Sequence, residues 1–250
     1  MITKEELSEV KQKRRTSLYY EEKEYLQYIF LEEISRLSDN FTFKGGTCLR
    51  ICYGLERASE DLDFNTNLSL KELKETINKC LNKFYLLNIK YEILSIKEFE
   101  GNLRFEIRFQ GPLYAGNKNS TNTLKIDFNK KKIKNKKAKV VQKLFSDIPL
   151  FTILVLSEEE ILAEKIRALS MRSEPKDLYD IWILINKGIK IDKALVNSKL
   201  KEEMSHIENI KIIPKEEYNK TLSPLLSNLP NYEQVKNEVE SLIKKEFIKQ

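Results

Sequence analysis

The sequence predicts an α+β fold, a β-rich first part followed by a helical second part, and three observations predict it. Strand-like runs rich in β-branched and aromatic residues gather between Phe41 and Leu156, with Gly-Asn and Gly-Pro pairs between them. From Ser157 onward apolar residues recur at helical spacing and the strand pattern stops. Phe41-Thr-Phe-Lys-Gly-Gly-Thr-Cys-Leu-Arg50, continued to Asp61-Leu-Asp63-Phe64, reads as strand, tight turn, short helix, loop and strand. We therefore expect one domain over residues 1–156 and a helical lobe over 157–250.

Residues 1–15 are polar and end in Lys11-Gln-Lys-Arg-Arg15, which suits a solvated arm or a helix start. Tyr19, Tyr25, Leu26, Ile29, Phe30 and Ile34 fall on one face of a helix over Thr16–Leu37. Ser69 with Glu72 three residues later signs a helix start, and Leu70, Leu73, Ile77, Leu81, Phe84 and Leu87 continue its stripe. Strands follow over Lys90–Lys97, Leu103–Gln110 and Thr123–Asn129, then over Val140–Phe145 and Phe151–Leu156. Ser157-Glu-Glu-Glu160 caps the next helix, and Pro175 opens another that closes at Gly188. Two or three further helices, separated by Pro214, Pro224 and Pro230, complete the chain, the last running from about Asn231 to the end.

The chemistry gathers in the Gly45–Asp63 stretch. Side chains alternate along a strand, so Asp61 and Asp63 project to one side. Two hard carboxylates side by side suit Mg²⁺, with Mn²⁺ as its substitute. Gly45 and Gly46 let the backbone approach a ligand closely, and Thr47 opens a helix whose free amides attract phosphate. Asp127 interrupts a strand-like run and can approach the pair as a third carboxylate if its strand is a neighbour. Lys130, Lys131, Lys132, Lys134, Lys136 and Lys137 follow at once; they read either as a solvated loop or as contacts to an RNA backbone. Asp180 lies among Leu178, Tyr179, Ile181 and Trp182, and a carboxylate in such a run needs a partner, for which Lys165 is the candidate. Asp177 shares its face and suits the first helical turn.

Composition narrows the classes. Hydrophobic residues at 41% and charged residues at 33% describe a globular chain with a core. The single histidine, His206, excludes a His-rich zinc site and leaves carboxylates, lysines and metal as the available chemistry. A net charge of +6 permits a polyanionic partner. Three cysteines without metal-like spacing, no apolar signal segment and no run long enough to span a bilayer lead us to expect a cytoplasmic protein with no membrane partner.

Gly45-Gly46-Thr47…Arg57-Ala-Ser59-Glu-Asp61-Leu-Asp63-Phe64 resembles the signature of polymerase-β-type nucleotidyltransferases. With Ala163-Glu-Lys165-Ile-Arg-Ala-Leu169 and Lys176-Asp-Leu-Tyr-Asp180-Ile181, the chain resembles the AbiEii-type nucleotidyltransferase toxins of type IV toxin–antitoxin and phage-defence systems. Thr47 stands where the wider superfamily more often has serine, and retains the hydroxyl. The resemblance implies a small mixed sheet with flanking helices, then a helical lobe. It also implies Mg²⁺ on Asp61 and Asp63, and nucleotide phosphates at Gly45, Gly46, Thr47, Arg57 and Ser59. Lys165 would meet the triphosphate, Asp180 would orient Lys165 or the nucleotide, and Asp127 would draw the proton from the attacking hydroxyl. The implied reaction moves a nucleoside monophosphate from an NTP to RNA, at the 3′ end of tRNA, and the implied partner is an antitoxin encoded nearby. Two other readings stand beside it: the same fold acting on a small molecule such as an aminoglycoside or on a protein hydroxyl, and a basic RNA-binding protein without catalysis.

Overall fold

The computed structural model describes residues 1–248. They form two compact units, one of Met1–Gly54 with Ala58–Leu156, the other of Leu55–Arg57 with the chain from Ser157 onward.

The first unit opens with α1 (Lys4–Arg14), begun by a capping box from Thr3 and Glu6, and α2 (Leu18–Leu37), capped by Ser17. Then come β1 (Phe41–Lys44), α3 (Gly45–Tyr53), β2 (Leu62–Thr66) and α4 (Leu70–Leu86), the last started by the Ser69–Glu72 box. Five strands follow: β3 (Lys90–Phe99), β4 (Asn102–Gln110), β5 (Asn122–Asn129), β6 (Lys136–Val141) and β7 (Phe151–Leu156). They join into one mixed sheet ordered β3-β4-β5-β2-β1-β7-β6. β2 pairs antiparallel with β1 and parallel with β5; β1 pairs parallel with β7.

The register sorts side chains onto two faces. Phe43 pairs with Phe64 and Phe64 with Phe128, so these rings share a face with Phe41 and Phe105. Phe64 and Phe128 stack at 5.4 Å between centroids, and Phe30 of α2 meets Phe64 at 6.1 Å. All six rings are buried. Fully burying a side chain of this size contributes about 1.5–3 kcal/mol, so this face, covered by α2, is the core. The opposite face carries Thr42, Lys44, Asp63, Asn65, Asp127 and Asn129, set by the pairs Thr42↔Asn65, Lys44↔Asp63, Asp63↔Asp127 and Asn65↔Asn129.

Two strand expectations move. The lysine run ends in strand: β6 begins at Lys136 and stops at Val141, whereas Val140–Phe145 was the expected strand. The reason is its place at the sheet edge, where lysines discourage further pairing and outweigh the weak β propensity of the residue type. Phe145 is instead a buried core ring in the loop, edge-on to Tyr25 and Tyr28.

The second unit is helical: α5 (Glu158–Met171), α6 (Pro175–Asn186), α7 (Lys193–Glu202), α8 (Lys215–Leu222) and α9 (Tyr232–Ile243). α5 packs on α6 and α7, and α6 on α8 and α9. The final helix, expected to reach the chain end, passes into a π-helical turn over Lys244–Ile248, and the last two residues lie outside the described ones. No helix among the described residues is long and apolar enough to cross a membrane.

Candidate active site

The Gly45–Asp63 stretch folds as β1, α3, a loop and β2. Gly45 sits at φ 77°, in the left-handed region that side chains avoid, and its missing Cβ leaves the space taken by the Asp63 carboxylate. Lys44 is the N-cap of α3 and supplies no side-chain cap, so the amides that open the helix are not closed off by their own cap. Thr47 is fully buried. Its hydroxyl lies 2.5 Å from the Asp61 carbonyl and 2.9 Å from Ser59 Oγ; since a carbonyl only accepts, Thr47 donates to Asp61 and accepts from Ser59. The Gln27 side chain donates to the Ser59 and Glu60 carbonyls at 3.1 and 3.0 Å. The acidic loop is thereby tied to α3 on one side and α2 on the other.

Asp61 is exposed just before β2, and Asp63 is half-buried on it. Asp127 stands beside Asp63 on the parallel neighbour β5. Both Asp127 oxygens accept from Arg104 of β4, at 2.6 and 3.0 Å, a planar fork that fixes the carboxylate. The hydrogen bond donated to Asp127 raises the Arg104 guanidinium above its ordinary value, with the charges of Asp127, Asp61 and Asp63 adding to it. Among the described residues no three His, Cys, Asp or Glu side chains converge around an ion position. The residues whose chemistry would suit a cation are Asp61 and Asp63, two carboxylates that bring hard oxygens. That is the partial protein coordination Mg²⁺ accepts.

The sequence reading did not single out Arg104. Its signal was present: Leu103, Phe105, Ile107 and Phe109 alternate with Arg104, Glu106 and Arg108, which puts Arg104 on the polar face. What the sequence lacks is the register that sets it opposite Asp127.

The second unit holds the other sequence-selected residues. Arg57 donates to both oxygens of Asp180, each at 2.6 Å. Lys165 Nζ lies 2.7 Å from Asp177 Oδ1 and 2.7 Å from Asp180 Oδ2. Arg172 closes the row at 3.1 Å from Asp177. Asp177, Asp180, Arg57 and Lys165 are all buried. Burial alone would raise the Asp180 carboxyl; Arg57 and Lys165 outweigh it and hold the group below the usual carboxylate range. Burial likewise opposes the Lys165 ammonium, and Asp180 and Asp177 more than offset it, so its value is raised. Lys165 thus stays charged, with two of its three N–H donors on aspartates. Arg57, selected with the phosphate-binding residues, has its guanidinium on Asp180. The lysines extend from Lys130 to β6, where Lys137 Nζ lies 5.1 Å from the Tyr53 ring centroid.

This arrangement sets two aspartates beside the start of α3, which has no side-chain cap, and in the second unit a buried ammonium fixed by two aspartates. It contains no buried histidine, the one histidine being exposed. Known proteins agree with a phosphoryl-transfer reading. In fold the chain is similar to MenT4, a nucleotidyltransferase toxin from Mycobacterium tuberculosis H37Rv, with TM-score 0.71 and 16% identity over 98% of this chain and 90% of that one. It is similar to JHP933 from Helicobacter pylori, with TM-score 0.61 and 19% identity over 92% of each chain. No curated protein sequence matches. The family model described as nucleotidyl transferase AbiEii toxin, type IV toxin–antitoxin system, matches residues 29–245, and the chain belongs to that family of nucleotidyltransferases.

Proposed function

We propose that the protein transfers a nucleoside monophosphate from an NTP to an RNA hydroxyl, at the 3′ end of tRNA, in a metal-dependent reaction that blocks growth. The observation that carries this reading is the Asp61/Asp63 pair beside the Gly45 turn, where only a glycine leaves room for the Asp63 carboxylate. A Mg²⁺ or Mn²⁺ ion held by Asp61 and Asp63 would neutralise phosphate charge and assist departure of pyrophosphate.

The chain's own groups do the rest. Backbone amides at Gly46 and Thr47 receive phosphate oxygens at the α3 N-terminus. Lys165 is the cation assigned to nucleotide phosphate, and Asp180 and Asp177 fix its ammonium. The acceptor oxygen forms a bond to the α-phosphorus, the bond from that phosphorus to the bridging oxygen breaks, and pyrophosphate leaves. The hydroxyl proton passes to Asp127, whose plane Arg104 sets. Ser59 and Arg57 act through the loop and through Asp180. An antitoxin encoded nearby restrains the activity, and the cytoplasm is the compartment this chemistry needs.

The test is to incubate the protein with each labelled NTP, Mg²⁺ and total RNA. Label on the tRNA fraction is the expected result. Label confined to an added aminoglycoside or to a protein would replace the acceptor, and no label with any NTP would overturn the reading.

A further inference from the structure

The polar sheet face extends beyond the carboxylates. Two residues along the same strands from Lys44, Asp63 and Asp127 lie Thr42, Asn65 and Asn129, a parallel row about 7 Å away at the usual strand rise. Thr42 and Asn65 line a recess of about 560 Å³ whose other wall is the chain from Lys130 to Lys136.

That wall is constrained by topology. β5 and β6 are separated by β2, β1 and β7, so their connection must cross four inter-strand spacings, about 19 Å in all. Seven backbone steps separate Asn129 from Lys136 and reach at most about 25 Å. The crossing therefore uses about three quarters of the segment's reach, which leaves it little slack. Asn65 pins it: its side-chain N–H donates to the Lys131 carbonyl at 2.7 Å, and its side-chain oxygen accepts from the Lys131 amide at 2.9 Å. Lys130, Lys132, Lys134 and Lys136 are exposed.

We infer that this recess docks the acceptor polynucleotide, taking a backbone phosphate and its nucleotide under the lysine crossover while the strand end reaches the carboxylates on the same face. The inference rests on the RNA-acceptor reading above and adds where the acceptor lies. Four lysines on a short segment pinned by Asn65 lose less freedom on meeting phosphates than lysines on a slack loop. Beneath them the lining supplies amide and hydroxyl groups from Asn40, Asn67, Thr42 and Thr66, with Asp39 its one acidic residue and Ile133 its one aliphatic residue. A protein partner would find no aromatic or aliphatic anchor there. A nucleotide finds cations for its phosphate and hydrogen-bonding groups for its base and sugar.

The experiment measures binding of a short labelled single-stranded RNA, without NTP or metal, together with the affinity for a fluorescent NTP analogue. K130Q/K132Q/K134Q is compared with K79Q/K90Q/K118Q, which removes the same charge at exposed positions of the same unit outside the recess. The recess variant is expected to lose tenfold or more in RNA affinity and to lower the slope of log affinity against log salt by about 2, as for three lost phosphate contacts. Asn65→Ala keeps every lysine and should still weaken RNA binding, by about threefold, because the crossover is unpinned. Equal losses in the recess and control variants, or none in either, would overturn the inference. A loss of NTP affinity with RNA binding intact would also overturn it, giving the recess to the triphosphate. If recess-dependent RNA binding persists while RNA is never labelled, the transfer reading fails and the recess assignment stands.

Discussion

Two groups of aspartates in this protein have opposite surroundings. Asp63 and Asp127 lie half-buried on the polar sheet face, and Asp61 is exposed just before it. Asp177 and Asp180 are buried among helices and ringed by Arg57, Lys165 and Arg172. Carboxylates with solvent beside them need less from the fold than buried ones. Buried carboxylates require cationic partners to exist as ions at all. The first group should therefore matter chiefly to activity, and the second to activity and stability together.

The sharpest test of that division is Asp63→Asn. Transfer activity should fall by at least about a hundredfold, the scale on which one preorganised electrostatic group acts. Stability to urea should change by less than about 1 kcal/mol. A collapse of stability would erase the contrast. Asp180→Ala probes the other side: it leaves Arg57 and Lys165 buried without their shared carboxylate, a loss of about 3–5 kcal/mol. Urea unfolding of this variant should show that loss; stability within about 1 kcal/mol of the parent would mean the cluster is hydrated and not load-sharing.

The buried cluster also carries a pH dependence. Because Asp180 titrates below its unfolded value, its contribution is present above about pH 4 and disappears as pH falls through the folded value. Lys165 is raised, so its contribution is complete below about pH 10.5 and is lost as pH rises through the folded value. Asp180→Asn should flatten the acid limb of stability against pH, and an unchanged acid limb would assign that limb to other carboxylates. Gly45→Ala should destabilise by about 1–2 kcal/mol through its left-handed backbone, and lower activity by displacing the Asp63 carboxylate. The smallest effect on stability is expected for Arg104→Met, below about 1 kcal/mol, since the Arg104 side chain is exposed. Its turnover should fall about tenfold through misplacement of Asp127, with KM for the NTP little changed.

Much of the architecture was legible in the sequence because its signals are local. Ser69 with Glu72, Ser157 before its three glutamates, and Phe41–Lys44 before the glycine turn each specify structure within a few residues, and each folds as expected. The contact between Lys165 and Asp180 was legible because a carboxylate in an apolar run demands a cation. Long-range pairings were not. Arg104 reaches Asp127 through a register of two strands 23 residues apart, and Arg57 reaches Asp180 across 123 residues. Neither follows from composition or spacing. β6 was obscured because its lysines have little strand propensity and their place at the edge is visible only in the assembled sheet.

The three residues Leu55–Arg57 belong with helices that begin a hundred residues later. During synthesis at about 5–20 residues per second, Arg57 emerges roughly 6–25 s before the aspartate that receives it. Until then its guanidinium has water as its partner, and the nascent first unit must form around a segment it does not keep. A fragment beginning at Ser157 would carry Asp180 with Lys165 but without this arginine, and should be less stable than one that keeps Leu55–Arg57.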